Sequence, residues 1–200
     1  MKLKLESKLR SNMSRELDRQ KSIAEKAELL AKEKSEEIEA IANQLSKYLS
    51  PQLYDSIFSG KKEVVITSEK KYLTIFFSDL VSFTNISDTM DSVPLTKMLN
   101  EYLNKMTDIA LSYGATIDKY IGDAVMIFFG DPESKGIEQD ALSCVKMAKD
   151  MQSEMKSMSQ YWVKNYSLKN PLQIRIGINS GECTVGNFGS ERRLDYTVIG

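Results

Sequence analysis

Two apolar runs, 115–121 and 124–129, stand only two residues apart, with Gly122-Asp123 between them. A gap that short between strand-like segments is crossed by a tight antiparallel hairpin. The rest of the chain must be arranged around that hairpin. Ahead of it lies a helical pattern opened by Pro94, with Leu95, Met98, Leu99, Tyr102, Leu103, Met106, Ile109 and Ala110 on one face, and Gly114 placed to stop it. Behind it a second amphipathic helix is predicted over 137–158, with Ile137, Ala141, Val145, Ala148, Met151 and Met155 recurring at helical spacing. The run Tyr72-Leu73-Thr74-Ile75-Phe76-Phe77 is continuously β-branched or aromatic, which predicts a fully buried strand. Further strands are expected at 172–178, 183–188 and 194–199, with Asn179-Ser180-Gly181 as a turn between the first two. Strand, helix, hairpin, helix, strands is the order of an α+β protein. The expected architecture is a ferredoxin-like sandwich, with helices on one face of a mostly antiparallel sheet.

The first 48 residues have a different texture. They contain no glycine or proline and are rich in charged helix formers. Ile23 and Leu30 are seven apart, as are Ile38 and Leu45, with one slip of register between the pairs. This predicts an N-terminal coiled-coil helix over 1–48; a lone solvated helix with a weak apolar stripe is the simpler alternative. Ser50-Pro51 should end it. Residues 49–70 read as a connector, with a helical turn over 52–58, Gly60 and the strand-like Val64-Val65-Ile66. Residues 71–200 then form the main domain.

Several chemistries are excluded early. There is no histidine, which removes Ser-His-Asp, Cys-His and imidazole acid–base catalysis. Cys144 and Cys183 lack any CxxC partner, so neither a disulfide framework nor a zinc site is indicated. A net charge of -1 gives no reason to expect a nucleic-acid partner. No apolar run reaches the ~20 residues of a membrane span, and the expected location is cytoplasmic.

The candidate functional residues are mostly charges in apolar surroundings. Asp79 closes the first strand and is followed by Leu80-Val81-Ser82-Phe83-Thr84. A carboxylate there can hold a divalent cation while the next backbone N–H groups face phosphate, or it can simply serve a turn. Asp123 sits at the hairpin tip, where turn chemistry alone would also explain it. In a ferredoxin-like sheet the two can lie side by side. Two carboxylates so placed would repel unless cations sat between them, and two Mg²⁺ or Mn²⁺ ions would suit transfer at a phosphoryl group. Lys119, four residues before Asp123 and on the same strand face by alternation, reads from the sequence alone as a solvated edge lysine. Arg175, inside Ile174-Arg175-Ile176-Gly177, reads as a phosphate partner or as the polar face of a half-exposed strand.

Four segments resemble, in order, the signatures of class III adenylyl and guanylyl cyclase catalytic domains. They are Phe77-Ser78-Asp79-Leu80-Val81-Ser82-Phe83-Thr84, Ile117-Asp118-Lys119-Tyr120-Ile121-Gly122-Asp123-Ala124, Ile174-Arg175-Ile176-Gly177-Ile178-Asn179-Ser180-Gly181, and Leu194-Asp195-Tyr196-Thr197-Val198-Ile199-Gly200. The resemblance implies that Asp79 and Asp123 bind two divalent cations, joined by the Leu80 carbonyl. It implies that Val81, Ser82, Phe83 and Thr84 cradle a triphosphate and that Arg175 binds it. Lys119 and Thr197 would read the purine; that pair goes with ATP, whereas guanylyl cyclases carry glutamate and cysteine there. The implied reaction turns ATP into 3′,5′-cyclic AMP and pyrophosphate, in a homodimer whose active sites lie at the subunit interface. The family pattern continues beyond the position of Gly200 with an asparagine and an arginine. A chain of these 200 residues alone is therefore expected to be inactive or nearly so, with a guanylyl cyclase or a non-catalytic nucleotide-binding module as alternatives.

Overall fold

The computed structural model describes residues 2–49, 54, 68–166, 168–190 and 192–200. The chain divides into two units, 1–49 and 50–200. The helical turn and strand expected between 52 and 66 fall almost wholly outside the described residues.

The first unit is one helix, α1 (Lys2–Leu45), followed by a 3-10 turn over Ser46–Tyr48 and an extended Leu49. Pairs such as Lys21–Glu25 and Lys32–Glu36, each 4.0 Å apart, lace its surface and contribute a few tenths of a kcal/mol each at most. Leu17, Ile23, Leu30, Ile38 and Leu45 all remain more than half exposed. The stripe seen in the sequence is therefore uncovered within the single chain.

The second unit is built on β1 (Ser68–Leu80). A short helix α2 (Phe83–Ser87) and the longer α3 (Ser92–Ser112) lead to the hairpin of β2 (Thr116–Ile121) and β3 (Ala124–Phe129). Then come α4 (Ile137–Asn165), β4 (Ile174–Ser190) and β5 (Arg193–Ile199). The sheet order is β2-β3-β1-β4-β5, antiparallel throughout. This is the α+β sandwich expected from the order of elements. Helices α3 and α4 cover one face. Phe76, Leu80, Val125, Ile127 and Ile174 from the sheet pack there on Met98, Tyr102, Met106, Met147, Met151 and Trp162. On the other face a smaller cluster forms around Leu73, Phe128 and Val185, with Tyr196 and Val198 of β5 against it. The sheet curls enough for its two edge strands to touch, because Thr197 of β5 bonds to Asp118 of β2.

The sequence expectations are corrected in four places. The turn at Asn179-Ser180-Gly181 does not exist: β4 runs straight through it, and these residues pair with Ile75, Thr74 and Leu73. The cause is the length of β1, whose 13 residues offer a complete ladder to 174–186; Thr74 Oγ1 and Ser180 Oγ, 2.8 Å apart, add a cross-strand bond. The first strand is not buried on both faces, since Phe77 is 42% exposed while Phe76 is fully buried. The second helix runs past 158 to Asn165, because Trp162 is buried and its indole N–H donates to Glu101 of α3 at 2.9 Å. Among the described residues the main domain's sheet already includes Ser68, three residues before the expected boundary. The two cysteines are free, and burial pushes the Cys144 thiol up to about 12, which leaves it inert at neutral pH. Among the described residues, no helix is long and apolar enough to cross a membrane.

Candidate active site

Strand alternation fixes the first cluster. Ser78 and Leu80 are buried, so Asp79 between them points away from the helices, to the side that Arg175 shares as its cross-strand partner. Arg175 donates to both carboxylate oxygens, Nε to Oδ1 at 2.8 Å and Nη2 to Oδ2 at 2.5 Å. This is the planar two-point grip that a guanidinium makes on a carboxylate. The hydrogen bonds from Arg175 hold the Asp79 carboxyl below its ordinary value, against the smaller opposing effect of burial.

Asp123 follows Gly122, whose φ of +63 the turn requires. Its Oδ2 accepts the N–H of Leu80 at 2.8 Å, one residue from Asp79. The strand end and the hairpin tip therefore meet. The expected repulsion between the two acids is relieved by the chain itself: Arg175 pairs with Asp79, and its charge also feels Asp123. Every donor group gathered here is oxygen, the chemistry that suits Mg²⁺ or Mn²⁺. Among the described residues no group of three or more His, Cys, Asp or Glu converges, so water and substrate phosphate would have to complete any coordination. A cation on Asp79 would also have to displace Arg175.

The segment after Leu80 reverses sharply. Val81 N–H donates to the Gln173 carbonyl at 2.8 Å. Ser82 then adopts a left-handed conformation (φ 61, ψ 27) as N-cap of α2, the one non-glycine residue with positive φ among those described. Such a backbone costs about 1 kcal/mol or more and persists where surrounding structure imposes it. It sets Phe83 and Thr84 in the first turn of α2, just after Asp79 in sequence. Beneath the cluster, the buried hydroxyls of Ser78 and Tyr102 make no hydrogen bond of good geometry. Burial pushes the Tyr102 phenol up to about 12.

A second cluster joins Lys119 and Thr197. The β2–β3 register slips between Ile117 and Lys119, leaving Asp118 as an extra residue in a β-bulge. Its side chain is 1% exposed. Thr197 Oγ1 donates to Asp118 Oδ2 at 2.6 Å, and the Lys119 ammonium lies 3.3 Å from Oδ1. Asp118 lies inside the second of the four signature segments, where the sequence alone assigns it no role. The available signal was an acid inside an apolar strand, next to a lysine.

The fold and these clusters define an α+β domain that brings acidic and basic side chains from strands distant in sequence to one sheet end, with a lysine–threonine pair further along. The sequence matches the family described as the adenylate and guanylate cyclase catalytic domain over residues 65–200. The chain belongs to that family. It is 31% identical over 160 residues to an adenylate cyclase of Anabaena cylindrica, covering 80% of this chain and 30% of that protein. Among solved structures, the adenylyl cyclase CyaB from P. aeruginosa is 50% identical with a TM-score of 0.65, covering 68% of each chain. The guanylyl cyclase Cya2 is 38% identical with a TM-score of 0.62, covering 68% of this chain and 66% of that one. The chain spans less than a third of the length of the curated relatives it matches. Both adenylyl and guanylyl cyclases stand among these neighbours, so the base has to be argued from the site.

Proposed function

We propose that this domain is an adenylyl cyclase, converting ATP to 3′,5′-cyclic AMP and pyrophosphate as a homodimer. The observation that carries the reading is the meeting of Asp79, Asp123 and Arg175 at one end of the sheet, although 96 residues separate the first and last. Two divalent cations, Mg²⁺ or Mn²⁺, held by Asp79, Asp123 and the Leu80 carbonyl, would supply the Lewis acidity that activates the ribose 3′-hydroxyl and neutralises the leaving group. With Asp79 engaged in this way, Arg175 would be free to hold the departing pyrophosphate. The turn and helix start at Ser82, Phe83 and Thr84 would offer backbone N–H groups to the phosphates, whereas the Val81 N–H is already committed to the Gln173 carbonyl. Lys119 donates to N1 of adenine, and Thr197 accepts from the 6-amino group. The metal-binding groups of one protomer and the base-reading groups of its partner would complete each site. The uncovered stripe of α1 gives the dimer a second point of contact, as a parallel coiled coil.

The test is binding and turnover with each nucleotide. Metal-dependent binding of the α,β-methylene analogues of ATP and GTP is measured by calorimetry, and cyclic nucleotide formation by chromatography. The expected result is preference for the adenine analogue, lost in Asp79→Ala and Asp123→Ala when Mg²⁺ or Mn²⁺ is present. Preference for the guanine analogue, or metal-dependent binding unchanged by both substitutions, refutes the reading.

A further inference from the structure

We infer that Asp118 is the positioning residue that makes the base pocket select adenine, by forcing the Thr197 hydroxyl to act only as an acceptor toward the base. This rests on the reading of Lys119 and Thr197 as base-contacting residues.

A threonine hydroxyl can both donate and accept. Left free, it would satisfy the 6-amino group of adenine as readily as the 6-oxo group of guanine, and so would discriminate little. Here it is not free. An ionised carboxylate only accepts, and Thr197 Oγ1 stands 2.6 Å from Asp118 Oδ2, so the hydroxyl proton is committed to Asp118. The lone pairs left on Thr197 can meet an amino donor and would face the guanine oxygen, a second acceptor, with nothing to share. Asp118 treats Lys119 in a parallel way. The ammonium lies 3.3 Å from Oδ1, which has no hydrogen-bond partner of good geometry. The ion pair holds a donor beside the threonine, suited to the unprotonated N1 of adenine and unsuited to the N1–H of guanine.

The local fold is built for this. The bulge at Asp118 takes the residue out of the β2–β3 register, and the curl of the sheet brings β5 to meet it. The carboxylate is buried, so water does not compete for Thr197. Burial raises the Asp118 carboxyl from its ordinary value, opposed by Thr197, by Lys119 and by the Val198 N–H.

The experiment is Asp118→Asn in the full chain, with binding of the α,β-methylene analogues of ATP and GTP compared by calorimetry. The asparagine amide can donate to Thr197, which frees the hydroxyl proton for the guanine oxygen. The expected ATP:GTP affinity ratio falls roughly ten- to a hundredfold, the cost of a mispaired buried polar group. Much of the change should come from improved GTP binding, which a loss of structure would not produce. Thr197→Val removes the hydroxyl, and in that background Asp118→Asn should move the ratio much less, through Lys119 alone. A measurement on the unaltered protein guards against a misfolded variant: ITP, which shares the 6-oxo group of guanine but lacks its 2-amino group, should be rejected as strongly as GTP. If wild-type protein prefers ATP but Asp118→Asn leaves the ratio unchanged, or if ITP binds like ATP, the role of Asp118 is refuted while the cyclase reading stands. If wild-type protein prefers GTP or binds neither nucleotide, both fail.

Discussion

Replacing Asp131 by asparagine should loosen the face of the sheet opposite the helices by about 2–3 kcal/mol, because a charged acceptor there is shared by separate strands. Asp131 is fully buried, just past the end of β3. Its Oδ2 takes an ion pair from Lys71 of β1 at 2.8 Å, and its Oδ1 accepts the hydroxyl of Tyr196 of β5. Thr116 of β2 donates at 2.6 Å to the Asp131 main-chain oxygen, a bond the substitution leaves alone. Hydrogen bonds to a charged group contribute about 1.5–3 kcal/mol each. Two would suggest more than the figure given, but Lys71 is 31% exposed and regains water, and the asparagine oxygen still accepts one bond. Urea unfolding followed by fluorescence is the assay. Trp162 is the single tryptophan and is fully buried in the second unit, so its signal reports that unit and not α1. With a slope of about 2 kcal/mol per molar, the midpoint should drop by about 1–1.5 M. The alkaline limb gives a second readout. Burial and the bond to Asp131 hold the Tyr196 phenol well above its ordinary value. Burial pulls Lys71 down, but its bonds to Asp131 and Glu69 outweigh this and leave it raised. Groups raised on folding stabilise fully below their unfolded values, about pH 10 for both, and lose that contribution as pH rises further. The wild-type fall in stability above that pH should be shallower in Asp131→Asn. A midpoint shift under about 0.3 M, within the scatter of such extrapolations, would refute the reasoning by showing that Lys71 and Tyr196 find equal partners elsewhere.

Other outcomes follow from single contacts. Ser82→Gly removes the left-handed strain at φ 61 and should raise stability by up to about 1 kcal/mol, read as a higher urea midpoint. Arg175→Ala removes the group that depresses Asp79; a depressed carboxylate stabilises above its unfolded value, and that contribution is lost as pH falls, so the variant should show a flatter acid limb below about pH 4. Met151→Ala, at a fully buried site between helix and sheet, should cost about 2–5 kcal/mol by the same fluorescence assay. Leu30→Glu, on the uncovered face of α1, should weaken self-association in sedimentation equilibrium while leaving the fluorescence midpoint of the second unit unchanged.

The hairpin, the two core helices and the sheet-end cluster were legible because their signals are local: Gly122-Asp123 between apolar runs, methionines and leucines at helical spacing, acids closing strands. The misread turn shows the limit. Asn179-Ser180-Gly181 carries turn residues, and only the ladder offered by β1, a hundred residues earlier, keeps it extended. The 3.6-residue pattern faded after 158 because the last turns of α4 are held by one buried tryptophan and its bond to Glu101, a contact between helices that no periodicity encodes. Asp118 was hidden for a related reason. Its burial depends on a one-residue slip in register and on the arrival of β5 from the opposite edge of the sheet.

The grip of Arg175 on Asp79 means that the sheet end carries its own counter-ion. A pair of acids held together only by cations would spring apart under a chelator, and folding would then be tied to metal supply. Here the guanidinium already offsets one of the two carboxylates and the Leu80 N–H holds the other, so EDTA should leave the unfolding midpoint where it stands. On the proposed reading the domain would wait, assembled, for its nucleotide, whose arrival would move one side chain from a carboxylate to a phosphate.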